Sequence, residues 1–317
     1  MKIVDKIYGE FEITEPVLLA LLKSPSILRL KKISQSGLPS KFHPYPSVSR
    51  YDHSVGVMLL LRRLGADLEE QVAGLLHDVS HLAFSHTADW LFHDGNEDAH
   101  DLSHHDFIEE TEIPAILKQS GLSVVRLLNE KNYPLLDQEI PDLCADRIVY
   151  VLREPLYSQK LKLAKLTFES LSVYRNRIVF TDSVVARDFA INFLEFQTNR
   201  WGGYEDNIKM ILFVDTLKLA LEKGIITKDD FWLDDEIILS KLEKSDCQQI
   251  ATSLSQLSSS AFTDFYKPKG QKIWKKFRYV DPAILIDGKV ERLSKISPDF
   301  KKILSVHRKI NRQGIMI

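Results

Sequence analysis

Cysteine is scarce in this sequence: Cys144 and Cys247 are alone among 317 residues. Two widely separated thiols exclude a disulfide framework and a thiolate metal cage, and both read as packing residues. A dominant charge is also missing, because 42 Lys and Arg stand against 44 Asp and Glu for a formal net charge of −2. No strong field draws such a chain to nucleic acid or to an anionic membrane. Long apolar runs are absent too. The stretch Val55–Leu61 is far too short to span a bilayer, and residues 1–16 carry acids without an apolar core of signal-peptide length. These absences predict a soluble cytoplasmic protein with no membrane partner, and they favour small-molecule chemistry.

At 44% hydrophobic residues, the chain can bury one large or two modest cores. Apolar residues recur with the 3.6-residue period over most of its length, so the fold class is mainly α. Asp52 is placed to cap a helix that ends at Gly65. Asp67, with Glu70 three residues on, resembles a capping box opening a helix over 68–82. The polar stretch 91–106 reads as an exposed loop. Residues 140–157 form another helix, with Pro141 near its start and Pro155 stopping it. Helical pattern returns over 184–201 and 204–223. Residues 172–182 read as a hairpin about Arg175 and Asn176, and 275–293 as a small sheet about an Asp-Gly turn. The serine-rich stretch 253–262 reads as a helix end or surface loop, and no internal repeat is present.

Polar residues on these helices carry the chemistry. Winding 68–82 at about 100° per residue puts Leu68, Val72, Leu75, Leu76 and Val79 on one face, with His77 and His81 roughly opposite. Ala73 and Gly74 lie near the histidines and permit a close approach by another element. Asp78 points about 100° from His77, so both reach a cation held off the helix flank. His53 shares a stripe with Val57, Leu60, Leu61 and Leu64, and Asp146 shares one with Leu143 and Tyr150. Burying an ionised aspartate costs several kcal/mol unless a charge offsets it. A lone inward His or Asp is more often a hydrogen-bonded core residue than a ligand. One divalent cation held by His53, His77, Asp78 and Asp146 satisfies all four groups. Mixed imidazole and carboxylate ligation suits Zn, Fe, Mn or Ni better than Ca or Mg.

Read together, His53, the His77–Asp78 pair and Asp146 resemble the H…HD…D pattern of the HD-domain superfamily of metal-dependent phosphohydrolases. The surroundings sharpen the likeness: "RLKKISQSG" at 29–37, "SRYDHSVGV" at 49–57, "LLHDVSHLAFSH" at 75–86 and "ADRIVYVLRE" at 145–154 resemble the branch with the deoxynucleoside triphosphate triphosphohydrolases. The likeness covers residues 5–165, with the "KFRYVDP" region matching more loosely. It implies an HD-domain helical bundle over 1–165 and a C-terminal helical region with a small sheet over 166–317, packed on it. It also implies that His53, His77, Asp78 and Asp146 ligate the metal. Arg50 matches a phosphate-contacting arginine, and Gln35 a glutamine against the nucleoside. His81, His86 and Asp89 match polar residues around the reacting phosphate, and His105 with Asp106 resembles a His-Glu pair, with His104 as the alternative register. Arg147 and Tyr150 fall where relatives present a basic residue to phosphate and a tyrosine to sugar. Cys144 and Val149 stand at positions that are commonly aspartate, and Glu154 replaces an aspartate that contacts the sugar hydroxyl.

The expected reaction is metal-assisted phosphoester or phosphoanhydride hydrolysis on a small phosphate substrate such as a nucleotide. His81, His86 or His105 would donate a proton to the leaving oxygen, oriented by Asp89 or Asp106. Three other readings compete. A non-catalytic, metal-containing scaffold that binds nucleotide suits the altered positions near 144–154. A two-iron oxygenase needs further histidines, and after His104 or His105 none follows between 106 and 146. Nucleic-acid binding has only the basic stretch 267–278, which a solvated sheet edge explains equally well. The acidic stretch 94–101 starts like a calcium loop but lacks the terminal Glu at the right spacing. A homo-oligomer stays open.

Overall fold

In the computed structural model of the chain, the described residues are 1–42, 46, 48–92, 100–154, 157, 160–259, 262, 270 and 272–316. The acidic stretch 94–101 therefore falls largely outside them, as do Pro155 and most of 260–271.

The chain opens with an antiparallel pair, β1 (Lys2–Asp5) and β2 (Gly9–Glu12), which the sequence reading does not include. The Asp5 carboxylate accepts from the backbone N–H of Ile7 and Tyr8 at 2.8 and 3.0 Å, and so turns the chain between the strands. Prolines then start α1 (Pro16–Leu21) and α2 (Pro25–Arg29). The central helix α3 (Arg50–Arg63) begins earlier than its predicted cap. Ser49, not Asp52, is the N-cap, and its hydroxyl accepts from the Asp52 N–H at 3.0 Å.

After α3 comes α4 (Leu68–Leu76), capped by Asp67 as expected. The rest of the predicted capping box does not form. Glu70 turns inward, and its carboxylate accepts from the N–H groups of Leu135 and Leu136 at 2.7 and 3.2 Å, holding the segment that leads into the last helix of this half. Further helices are α5 (His86–Phe92), α6 (His100–Glu109), α7 (Ile113–Gln119), α8 (Val124–Leu127) and α9 (Ala145–Arg153). Residues 100–106 are thus helical rather than loop. Helix α9 starts at Ala145, after a turn through Pro141, and ends where Glu154 becomes extended ahead of Pro155.

Helix α3 packs between α4 and α9, and small residues set the spacing. A Cβ added at Gly74 would come within 2.4 Å of Leu61 Cδ1, and one at Gly56 within 2.7 Å of Arg153 Nε and 2.9 Å of Val149 Cγ1. The close approach expected at Gly74 is made by α3.

Helix Leu161–Glu169 leads to the predicted hairpin, β3 (Leu171–Tyr174) and β4 (Arg177–Phe180), with Arg175 and Asn176 at φ 48° and 58°. Two consecutive left-handed residues define the turn that matches strand twist. After β5 (Lys272–Ile273), the expected Asp287-Gly288 turn joins β6 (Ala283–Ile286) to β7 (Lys289–Arg292). β4 runs parallel to β6, so the two hairpins form one four-stranded sheet in the order β3-β4-β6-β7. β5 pairs with β8 (Ile315–Met316). The helices Ser183–Phe196 and Tyr204–Glu222 fulfil the two long helical predictions, joined through a π-turn at Gln197–Trp201. Helix Gln248–Leu257 accounts for the first part of the serine-rich stretch.

Two apolar cores result. The first gathers α1 to α4, α7 and α9 with Phe189, Phe193 and the sheet residues Phe180 and Ile284. The second takes Leu38, Phe42, Ala83 and Phe84 into contact with Phe213, Leu217 and Phe231. Ile33 and Val79 belong to the first core, whereas Leu38 and Ala83 belong to the second. The segments 33–38 and 79–83 therefore cross from one core to the other. Among the described residues, no helix is long and apolar enough to cross a membrane.

Candidate metal centre and its cavity

Helix α3 delivers His53, α4 ends at its C-cap His77, and α9 delivers Asp146 in its first turn. His53 Nε2 lies 3.2 Å from His77 Nε2 and 2.9 Å from Asp146 Oδ1, and His77 Nε2 lies 3.6 Å from the same oxygen. The three ligand atoms all fall within 4.8 Å of one another. His77 Nδ1 is 2.8 Å from the Gly74 carbonyl, which can only accept, so Nδ1 carries a proton and Nε2 is the nitrogen turned to the centre.

Asp78 arrives by a route that helix winding does not describe. Because α4 stops at Leu76, residues 77–80 form a turn, with Val79 N–H donating to Leu76 O and His81 N–H to Asp78 O. Arg29 stabilises this exit by donating from Nη2 to the carbonyls of Val79 and His81 at 2.9 and 2.8 Å. The turn swings Asp78 to 3.5 Å from both His53 Nε2 and His77 Nε2, with His81 Nε2 3.3 Å away. Asp78 stands outside the convergent triad, since its Oδ2 accepts from Arg50 Nη1 at 2.6 Å.

The electrostatics are those of a cation site. Burial opposes a charge on His77, yet Asp78 and Asp146 outweigh it and hold the imidazole up to about 9. Burial also opposes the Asp78 carboxylate, but Arg50, His77 and His81 hold it well below the usual carboxylate range. Asp146 is lowered likewise, against its burial, by His53 and His77, while burial pushes His53 down. Two imidazole nitrogens this close to each other and to anionic oxygens hold positive charge among them, which protons supply in the metal-free protein and a cation can replace. Ligand atoms about 2.1 Å from one ion lie roughly 3 to 3.5 Å apart, as these do. The donor set therefore fits a single divalent ion.

The triad faces a cavity of about 440 Å³. Gln35, Arg50, His81, His86, Arg147 and Tyr150 line it with the triad and Asp78, so all the predicted site residues except Asp89, His105 and Asp106 meet there. Arg50 is buried and donates from Nε to Ser85 Oγ at 3.0 Å. Its Nη2 lies 3.2 Å from His86 Nε2, and an arginine nitrogen can only donate, so His86 carries its proton on Nδ1, 3.3 Å from Asp89 Oδ2. Asp89 is buried beside His86 and is not part of the cavity lining. Arg147 donates to the carbonyls of Asp142 and Gln138.

The structure does not bring His105 and Asp106 to this cavity. His105 is half exposed on α6, 3.6 Å from Glu109, and Asp106 is exposed as well. The helical turn presents the neighbouring residue instead. His104 Nδ1 pairs with Ser80 Oγ at 2.9 Å and lines a small apolar cavity beside His77.

Sequence reasoning missed the far wall. Arg200, Trp201, Lys275, Lys276 and Arg278 line the cavity from the C-terminal half, and Glu154 meets them, 3.3 Å from Arg200 and accepting from Trp201 Nε1 at 3.4 Å. Burial raises the Glu154 carboxyl, opposed by Arg200. The basic run at 275–278 was the available signal, and the expectation of a solvated sheet edge concealed it. Cys144 and Val149 are fully buried and outside the cavity lining, so of the three departures only Glu154 touches the candidate substrate space.

A helical bundle that turns two histidines and an aspartate onto one point defines a metal-dependent helical enzyme. The HD domain family model matches residues 50–164, which include all three. The chain is 34% identical to the uncharacterised protein YdhJ of Bacillus subtilis, over all of this chain and 98% of that one. It is 38% identical to the metal-dependent phosphohydrolase cns2 of Cordyceps militaris, over 57% of this chain and 55% of that one. A solved hypothetical protein from Aquifex aeolicus shares the fold, with a TM-score of 0.69 at 20% identity over 98% of this chain and 99% of that one. The protein belongs to the HD-domain superfamily of metal-dependent phosphohydrolases.

Proposed function

We propose that the protein hydrolyses a phosphoester or phosphoanhydride bond of a nucleotide, with deoxynucleoside triphosphates among the substrates to test first. One observation carries this reading: the His53, His77 and Asp146 triad opens into the same cavity as Arg50, Arg147 and Gln35. His53, His77 and Asp146 would hold the ion, with Asp78 beside them as the fourth ligand, and Zn, Fe, Mn or Ni suits this donor set better than Mg. A bound divalent ion supplies Lewis-acid chemistry and lowers the pKa of water.

The protein's own groups do the rest. Arg50 and Arg147 offset charge on the phosphoryl oxygens, with the planar guanidinium of Arg50 held for two-point contact. His86, backed by the buried Asp89, is the candidate general acid: Nε2 accepts from Arg50 here, and would take up and pass on a proton once Arg50 turns to the phosphoryl oxygens. His81, close to Asp78, sits nearer the ion. Gln35 Oε1 is buried without a hydrogen-bond partner among the described residues, which suits an acceptor awaiting a donor on a base or sugar. Tyr150, edge-on to Trp201, and the Glu154–Arg200 pair shape the other end. The longer carboxylate at 154, already engaged by Arg200, suits sugar selection different from that of the triphosphohydrolases.

Metal analysis of the purified protein, followed by a nucleotide and phosphoester panel with each candidate metal, tests the proposal. Release of intact triphosphate marks triphosphohydrolysis, and release of single phosphates marks stepwise cleavage. Nucleotide binding without turnover under every metal would refute hydrolysis.

A further inference from the structure

Asp235 lies far along the chain from every metal ligand, yet it reaches the segments that hold Arg50. It is buried at the first position of helix Asp235–Glu243. Its Oδ2 accepts from Ser34 N–H at 2.9 Å and its Oδ1 from Phe84 N–H at 2.7 Å. One carboxylate thus joins the two segments that cross between the cores.

Both segments lead directly to Arg50. On one side, Ser34 bridges Ser49, Gln35 N–H donates to Val48 O at 2.8 Å, and Arg50 N–H donates to Ile33 O at 2.9 Å. On the other, Phe84 and Ser85 take left-handed conformations, φ 63° and 43°, which are unfavourable for non-glycine residues. Such a turn persists only where its surroundings over-determine it. Asp235 grips its first N–H, and Phe231 O accepts from Ala83 N–H one residue earlier at 2.8 Å. The strained turn aims Ser85 Oγ between Ser34 O, to which it donates at 2.7 Å, and Arg50 Nε, from which it accepts at 3.0 Å. Ser85 therefore ties together the two segments that Asp235 clamps, and Arg50 rests on that tie.

We infer that Asp235 is a positioning residue for phosphate binding: it fixes the Ser34 and Phe84–Ser85 segments so that Ser85 orients the Arg50 guanidinium toward the cavity. The C-terminal half thereby completes the site carried by the first half. This inference rests on the reading of Arg50 as a phosphate ligand.

The test uses the metal-loaded full chain as wild type, Asp235→Asn, Ser85→Ala, Arg50→Lys and Asp235→Asn/Arg50→Lys. Inorganic phosphate is the probe, followed by calorimetry, with metal content and melting temperature measured alongside. Asp235→Asn keeps the shape but turns an amide N–H₂ on one of the two backbone donors. It is expected to weaken phosphate binding roughly ten- to hundredfold, the usual range for groups that orient a ligand-binding side chain, with metal content unchanged. Ser85→Ala, a smaller change at a buried site, moves phosphate binding in the same direction and carries the test if Asp235→Asn does not fold. In the Arg50→Lys background, Asp235→Asn adds little, because the group it positions is gone; a merely structural role would cost the same factor in both backgrounds. Wild-type phosphate affinity in Asp235→Asn and Ser85→Ala, or full additivity with Arg50→Lys, overturns the inference alone. Wild-type affinity in Arg50→Lys overturns the phosphate role of Arg50 and the inference with it.

Discussion

His53 Nε2 and His77 Nε2, 24 residues apart in the chain, face each other at 3.2 Å with Asp146 Oδ1 closing the triangle. These three atoms hold positive charge among them, from protons in the metal-free protein and from a divalent ion in the loaded one. Replacing His53, His77 or Asp146 by Ala should therefore weaken metal binding by more than the roughly 10- to 100-fold typical of losing an outer partner. Metal content after dialysis against a weak chelator reports this. Full retention in all three variants would remove the centre.

Arg50 and Asp78 form a buried pair at 2.6 Å. Arg50→Ala leaves the Asp78 carboxylate without its closest cation, at a cost of about 3–5 kcal/mol in the metal-free protein. Arg50→Lys, which keeps a charge near Asp78, should recover much of that stability. Urea unfolding of the two variants separates loss of charge from loss of guanidinium geometry; equal stabilities would contradict the pairing.

Gly56 sets the approach of α3 to α9, where a methyl group would strike Arg153 and Val149. Arg153 is itself held by Asp5 at 2.7 Å and has little room to yield. Gly56→Ala is expected to destabilise by about 1–3 kcal/mol, the range for overpacking. Its effect on metal stoichiometry should be small, because His53 and Asp146 keep their own helices. A melting curve at wild-type temperature would show that the contact is slack.

Burial pushes the Asp235 carboxyl up to about 7, against the backbone donors Phe84 and Ser34. In the unfolded chain the group titrates near 3.9. Between these values the folded state holds the extra proton, so this group makes the fold lose stability as pH rises, and its effect levels off above about 8. Relative to Asp235→Asn, the metal-free wild type should lose about 2–3 kcal/mol between pH 5 and 8. A pH-independent difference would place Asp235 in a more polar setting.

Much of this was legible in the sequence, for reasons that differ by element. The two hairpins were readable because Arg175-Asn176 and Asp287-Gly288 carry turn chemistry that acts locally, whereas the parallel pairing of β4 with β6 depends on chain packing. His53 was readable from an apolar stripe on an intact helix, whereas the stripe assigned to Asp146 included Leu143, which precedes the start of α9 at Ala145. Asp78 and His81 were assigned through a helix that stops at Leu76, because backbone periodicity does not register Arg29 drawing the carbonyls of Val79 and His81 outward. The histidine pair at 104–105 shows the limit of motif matching: a one-residue shift on α6 decides which ring faces Ser80 and which faces solvent. Asp235 gave no periodic or motif signal, and the basic run at 275–278 was visible only as local composition, since both meet the site through tertiary contact.

The triad and Arg50 are proposed to make one hydrolytic site. Its most direct test is phosphate or triphosphate release from a nucleotide panel by the metal-loaded protein, run beside metal-loaded Arg50→Lys and metal-stripped wild type. Turnover is expected to need the metal and to fall by at least about tenfold without the guanidinium. Nucleotide bound tightly by the metal-loaded protein, with no product under any of Zn, Fe, Mn or Ni, would contradict it.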